Sequence, residues 1–189
     1  MPYQDAVEQF GGTFDAMLWR SREGQAIRFK TFCDFVDFND TSILDVGCGI
    51  GDFAHFLIEG GVAFTKFHGI DAIDELITSA LHRNLSNCTF KTVDVVIHPE
   101  SMLGFDWLTF SGTLNAMQEH KAIELIDGAF AACTRGVAFN FLSDQCGRSP
   151  SEEDLHPASR FNTNALLAHA FQLTPFVDFT QTYLAGHDA

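Results

Sequence analysis

Four aspartates in this chain stand where a short apolar run or a glycine-spaced turn ends. Asp45 follows Ile43-Leu44, Asp71 follows Phe67-His68-Gly69-Ile70, Asp94 follows Cys88 to Val93, and Asp52 follows Gly47-Cys48-Gly49-Ile50-Gly51. Carboxylates so placed can grip hydroxyls or meet positive charge. Gly47, Gly49 and Gly51 permit positive φ and close backbone approach to a ligand, and the amides opening the helix that follows supply further donors. Asp71 lies 71 − 51 = 20 residues beyond Gly51, the separation at which a carboxylate ending a second strand reaches a ribose.

Charge narrows the ligand. A loop of the form G-x-G-x-x-G sets a pyrophosphate against the first helical turn, but here the sixth position is Asp52, an anion where the phosphate would sit. With Asp45 just before the glycines, the loop suits a ligand carrying an ammonium or sulfonium and no phosphate. S-adenosylmethionine meets that description, and Asp94 then puts an acceptor beside the adenine amino group.

Taken in order, LDVGCGIGD, GID, FKTVD and FDWLTFSG (residues 105–112) resemble the class I S-adenosylmethionine-dependent methyltransferase family at four successive strand ends. The resemblance runs from about Trp19 to Leu184, and the glycine loop is its most specific part. It implies an α/β, doubly wound, mostly parallel sheet. It also implies cofactor-binding roles: Asp45, Gly47, Cys48, Gly49, Gly51 and Asp52 along the methionine part, Asp71 with Ala72 at the ribose, and Asp94 with Val95 at the adenine edge. Ser111, Gly112 and Thr113 fall at the mouth facing the methyl group. The segment Trp19 to Phe29 is similar to the entrance helix of small bacterial members, with Trp19 a wall of the site and Gln25 and Arg28 reaching the cofactor carboxylate.

In-line attack of an acceptor on the sulfonium methyl is then expected, with His120 and His156, the nearby side chains whose ordinary pKa suits the task, as candidate bases where one is needed. Asn115 and Asn140 also lie near strand ends that face the site. Many base and glutamine amino-methyltransferases carry Asn-Pro-Pro-Tyr or Asp-Pro-Pro-Tyr where this chain reads Ser111-Gly112-Thr113-Leu114-Asn115, which argues against an adenine or glutamine amide acceptor. The other histidines, at 55, 68, 82, 98, 169 and 187, show no metal-ligand spacing, and Cys48 reads as a small packing residue.

Composition points to one α/β domain over 1–189, with residues 1–38 as a helical entrance segment. Apolar residues are 46% of the chain and include twenty Phe, ample for a core. The five cysteines form no C-x-x-C pair, so neither a disulfide framework nor a zinc ribbon is expected and a reducing cytoplasm is. The start MPYQDAVEQF lacks a signal-peptide pattern, and no run has the roughly 18 apolar residues of a membrane helix. Eleven basic and twenty-five acidic residues give a net charge of −14, which opposes nucleic acid and fits a neutral or cationic small-molecule substrate. Two other classes share the glycine loop: a nicotinamide-dependent oxidoreductase, disfavoured by Asp52, and a catalytically silent cofactor-binding or scaffold protein.

The elements that must hold these residues alternate strand with helix. Helices are expected over Ala6 to Leu18, Arg22 to Phe38, 52–60, 72–83, 118–132 and 162–172. Strands are expected over 42–46, 65–70, 88–93, 105–111 and 136–142. The polar, proline-broken stretch 143–160 reads as a mobile flap over the substrate. Phe176 to Leu184 has no internal turn residue, so it reads as one long strand before a turn at Gly186-His187-Asp188, with no final antiparallel strand after it. A sheet so exposed would favour a homodimer.

Overall fold

A computed structural model describes residues 2–145 and 158–184. Its centre is a five-stranded parallel sheet, ordered β3-β2-β1-β4-β5, made of β1 (Ser42–Val46), β2 (Lys66–Asp71), β3 (Cys88–Thr92), β4 (Trp107–Phe110) and β5 (Gly136–Phe139). β1 is central because its residues suit burial on both faces: Ile43, Leu44 and Val46 are 0–1% exposed. It pairs with β2 from Ser42↔Lys66 to Val46↔Ile70 and with β4 from Ile43↔Trp107 to Asp45↔Thr109.

Helices cover both faces. On one, Ile43 and Phe67 pack with Phe29 and Phe32 of α2 (Arg22–Phe35) and with Phe53 and Leu57 of α3 (Asp52–Glu59). On the other, Leu44, Val46, Ile70, Leu108 and Phe110 pack with Ala122, Leu125, Ile126 and Ala129 of α5 (Glu119–Ala132) and Leu166 of α6 (Thr163–Leu173). α4 (Asp74–His82) joins β2 to β3. The strand order reverses at β1, so the carboxyl ends of β1 and β4 open a crevice, the place where doubly wound folds bind ligands.

Three expectations are corrected. The helix expected over Ala6 to Leu18 is α1 (Pro2–Phe10) followed by a short 3-10 turn, Phe14–Met17. Gly11, at φ +64, ends α1, and a Cβ at Gly12 would collide with Ser79 and with the Glu75 carbonyl 2.5 Å away. The chain must turn there to lie against α4.

The second correction is the tail. Residues 174–184 contain no strand, although their side chains alternate. Strand formation needs a partner edge as well as a pattern, and here Gln181 is held by side-chain bonds instead: its Oε1 accepts from Ser143 Oγ at 3.1 Å and its Nε2 donates to Gln145 O at 3.4 Å. Beyond β5 the described residues add no strand to the main sheet, and its strands are all parallel.

Third, the strand expected over 136–142 stops at Phe139. Leu142–Ser143 (β6) pairs in parallel with Arg160–Phe161 (β7) as a separate two-stranded ladder. The ladder thus joins the two ends of the expected flap, while 146–157, with Cys146 and His156, lies outside the described residues, as does the expected turn at 186–188.

Candidate active site

The β1–α3 loop is drawn over the end of β2. Gly47 and Cys48 both donate their backbone N–H to Ile70 O, at 2.8 and 3.0 Å, and Gly47, Gly49 and Gly51 have φ of +72, +54 and +77. A Cβ would be strained at each. Gly49 N then donates to Asp71 Oδ2 at 3.0 Å, and Ile73 N to Asp71 Oδ1 at 3.0 Å. Asp71 is thus tied to the loop by Oδ2 and to the start of α4 by Oδ1, each oxygen with a lone pair to spare. Burial raises its pKa against the opposing pull of the Ile73, Gly49 and Ala72 amides.

Two more carboxylates line the crevice. Asp45 is 3% exposed and accepts from Thr109 Oγ1 at 2.8 Å; burial pushes its pKa up to about 7, against the Thr109 bond and with a further push from Asp71. Asp52 is 8% exposed. Its Oδ1 pairs with Arg83 Nη2 at 2.5 Å and its Oδ2 accepts from Gln25 Nε2 at 3.2 Å. Asp52 is therefore compensated inside the protein while it still lines the crevice. The same bond ties Gln25 to Asp52, so in this conformation Gln25 serves the loop. Burial, with Asp45 and Asp71 nearby, holds the Cys48 thiol well above its usual range, as a packing residue would be.

Residues 2–29 form a roof. Tyr3 is packed beside Asp71, and burial and that charge raise its phenol pKa. Ser79 Oγ donates to Gly12 O at 2.7 Å, Met17 Sδ touches Gly49, and the Trp19 ring lies 2.7 Å from where a Gly112 Cβ would stand. Arg28 sits 4.8 Å above the Trp19 ring, and its Nη1 donates to Gly24 O at 2.8 Å. Met17, Trp19, Gln25, Asp45, Asp52 and Ser111 are among the walls of a cavity of about 20 Å³, room for roughly one water. A ligand of adenosyl size needs the roof to move.

The sequence-predicted residues divide accordingly. Asp45, Gly47, Cys48, Asp52, Ser111, Trp19 and Gln25 line this cavity, and Gly49, Gly51, Asp71 and Gly112 frame it through the contacts above. Ala72 is exposed next to Asp71, Val95 is buried, and Asp94 is exposed at the end of β3 with Oδ1 accepting from Val96 N at 2.9 Å. His120 is exposed in the first turn of α5 and is not among the cavity's walls. Sequence reasoning missed Arg83, Thr109, Tyr3 and Met17. Only Thr109 had a usable signal, a polar residue inside an otherwise apolar strand.

A family model described as a methyltransferase domain matches residues 37–141, just over half of the chain. No curated protein matches the sequence. Among solved structures, the chain is similar to magnesium protoporphyrin IX methyltransferase from Synechocystis with bound SAH, at 13% identity, covering 88% of this chain and 78% of that one, with a TM-score of 0.65. It is similar to a Haemonchus contortus phosphoethanolamine N-methyltransferase in complex with phosphoethanolamine and S-adenosylhomocysteine, at 17% identity and TM-score 0.67; it covers 88% of itself but spans only 38% of that protein. A Mesorhizobium loti S-adenosylmethionine-dependent methyltransferase matches at 15% identity over 78% of this chain and 80% of the other, with a TM-score of 0.60. At these identities the likeness is one of fold.

Proposed function

Since the chain belongs to the methyltransferase domain family, we propose that it binds S-adenosylmethionine in the β1–β4 crevice and transfers the methyl group in line to a small-molecule acceptor. The observation that carries this reading is Asp71: a carboxylate at the end of β2, tied to the left-handed glycine loop by Gly49 N–H and held from its other oxygen by Ile73 N–H at the start of α4, with lone pairs left for ribose hydroxyls. The donor set fits the ligand. Asp45 faces the cavity as a carboxylate whose charge a cation would favour, and Ser111 Oγ, buried without a partner among the described residues, offers a hydrogen bond there.

When bound, S-adenosylmethionine supplies an electrophilic methyl on a sulfonium. The protein's task is then to orient and dry the site. Trp19 and Met17 close the roof and exclude water, Asp71 fixes the adenosyl part, and Asp45 with Ser111 meets the methionine end. Positioning of this kind supplies up to roughly 7–11 kcal/mol of barrier reduction in well-oriented systems. The net charge of −14 supports a small molecule over nucleic acid as acceptor. Among the described residues no helix is long and apolar enough to cross a membrane.

Calorimetric titration tests the reading. S-adenosylmethionine should bind and NAD should not; NAD binding with no S-adenosylmethionine binding would sink it. Release of S-adenosylhomocysteine with an acceptor panel separates an enzyme from a silent binding protein.

A further inference from the structure

Gln25 is 6% exposed and forms part of the wall of the small cavity under the roof. Its Nε2 donates to Asp52 Oδ2 at 3.2 Å. A carboxylate paired with a guanidinium, as Asp52 is with Arg83, is ionised and can only accept. The bond therefore fixes which way the amide faces: NH2 toward Asp52, Oε1 at its other end. Oε1 has no partner among the described residues. A buried acceptor left unpaired on a cavity wall is costly, and native proteins keep one where something outside the chain satisfies it.

The rest of the wall says what kind of group that is. Its other charged or hydroxyl side chains are Asp45, Asp52 and Ser111, and no lysine, arginine or histidine stands among them in the described residues. The loop N–H groups next to Asp45 are already used, since Gly47 and Cys48 both donate to Ile70 O. Asp45 Oδ1 accepts from Thr109 Oγ1, which leaves Oδ2 to accept as well. The wall is thus rich in acceptors and negative charge. An ammonium brings three donors and a positive charge in about the space of a water, and a cavity of about 20 Å³ holds roughly one water. A carboxylate is larger, can only accept, and would be repelled by Asp45.

Resting on the proposed binding of S-adenosylmethionine, we infer that this cavity is the subsite for the cofactor's α-ammonium and that Gln25 is its specificity residue, with Oε1 accepting from the ammonium. Asp52 and Arg83 are positioning residues: Arg83 keeps Asp52 ionised, and Asp52 keeps the amide turned with its oxygen toward the ligand. Gln25 belongs to α2 in the roof and Asp45 to β1 in the floor. An ammonium bonded to both ties the roof down on the floor, so the amine that is recognised also closes the site.

Calorimetry with S-adenosylhomocysteine and two analogues tests this; one analogue lacks the amino group and keeps the carboxylate, the other lacks the carboxylate and keeps the amine. In the wild-type protein, loss of the amino group should weaken binding at least about tenfold. Gln25→Met keeps the length of the side chain and removes the oxygen. It should weaken S-adenosylhomocysteine and the amine-bearing analogue at least about fivefold each, while the analogue without the amine stays within about twofold. The reverse pattern would give Gln25 to the carboxylate and overturn the inference, as would equal losses for all three ligands or no loss for any. Should Q25M not fold, Gln25→Ala is read against the same ligands. Wild-type protein that binds the analogue without the amine as tightly as S-adenosylhomocysteine would overturn the inference with no variant at all. Failure of the wild-type protein to bind S-adenosylhomocysteine would instead bring down the functional reading on which this rests.

Discussion

The floor and the roof of the crevice are built to different strengths. The floor is the ends of β1, β2 and β4, backed by two large clusters in which Ile43, Leu44, Ile70 and Leu108 are fully buried. The roof rests on a small cluster of Val7, Ala16, Ile50 and Leu76, with Met17 and Ile73 packed against it, and on single contacts such as Ser79 with Gly12. Few buried apolar groups mean a low free energy of local opening. A cavity of about 20 Å³ under such a roof admits its ligand by lifting the weak half and leaving the strong half in place.

The largest effect should come from breaking the floor. Phe67, 1% exposed, has ring centroids 5.9–6.3 Å from Phe53, Phe64 and Phe90, so Phe67→Ala should cost about 3–5 kcal/mol of global stability. Val7→Ala in the roof should cost about 1 kcal/mol or less in urea unfolding, yet hasten hydrogen exchange across residues 2–19. Equal losses in the two variants would mean the roof is part of the global folding unit, and the comparison would fail.

Asp71 is where floor and ligand meet, and it sharpens the contrast. A hydroxyl bonded to a carboxylate contributes roughly 1.5–3 kcal/mol, so Asp71→Ala should weaken S-adenosylmethionine at least about tenfold by calorimetry. The fold should feel this change as well, because Gly49 N–H and Ile73 N–H lose their acceptor, and a lower urea midpoint should accompany the lost affinity. Unchanged cofactor affinity would remove the ribose assignment.

Asp45 makes the floor sensitive to pH. Its pKa rises from the ordinary 3.8 to about 7 because it is buried. Between about pH 4 and 7 the folded protein thus holds a proton that the unfolded chain releases, and this group's contribution to stability falls as pH rises through that window. A bound cation favours the ionised form, so binding S-adenosylmethionine should release a proton and tighten by up to about tenfold from pH 6 to pH 8. Asp45→Asn should flatten both dependences. A wild-type affinity level across pH 6–8 would show that Asp45 does not sense the ligand.

The same division decides what could be read from the sequence. The floor was legible because each part of it is local: an apolar run sets β1, the glycines set the loop, and a fixed separation sets Asp71. Arg83 and Tyr3 were not, since what places them is packing between segments 31 and 68 residues apart, as in Arg83 with Asp52 and Tyr3 with Asp71. The break at Gly11-Gly12 was visible in the sequence, but the helical pattern of Ala6 to Leu18 outweighed it. The strand pattern of Phe176 to Leu184 misled for the opposite reason, since alternation is local and a strand's partner is not.

The smallest expected effect tests how the roof serves the ligand. Sequence reasoning gave Arg28 to the cofactor carboxylate, whereas the structure stacks its guanidinium on Trp19 at 4.8 Å, which itself covers Gly112. A cation–π contact at such a site contributes about 0.5–1 kcal/mol, or roughly a two- to fivefold change in affinity if the roof depends on it. Two ligands separate the roles. A direct pair with the carboxylate makes Arg28→Ala weaken S-adenosylmethionine while leaving adenosine, which lacks that group, bound as before. A prop under Trp19 makes both ligands lose alike, and Trp19→Ala should then reproduce the loss and leave nothing further for Arg28→Ala to remove in the double variant. We expect the second pattern, with a loss of about two- to fivefold shared by both ligands. A loss confined to S-adenosylmethionine would instead return Arg28 to the cofactor carboxylate.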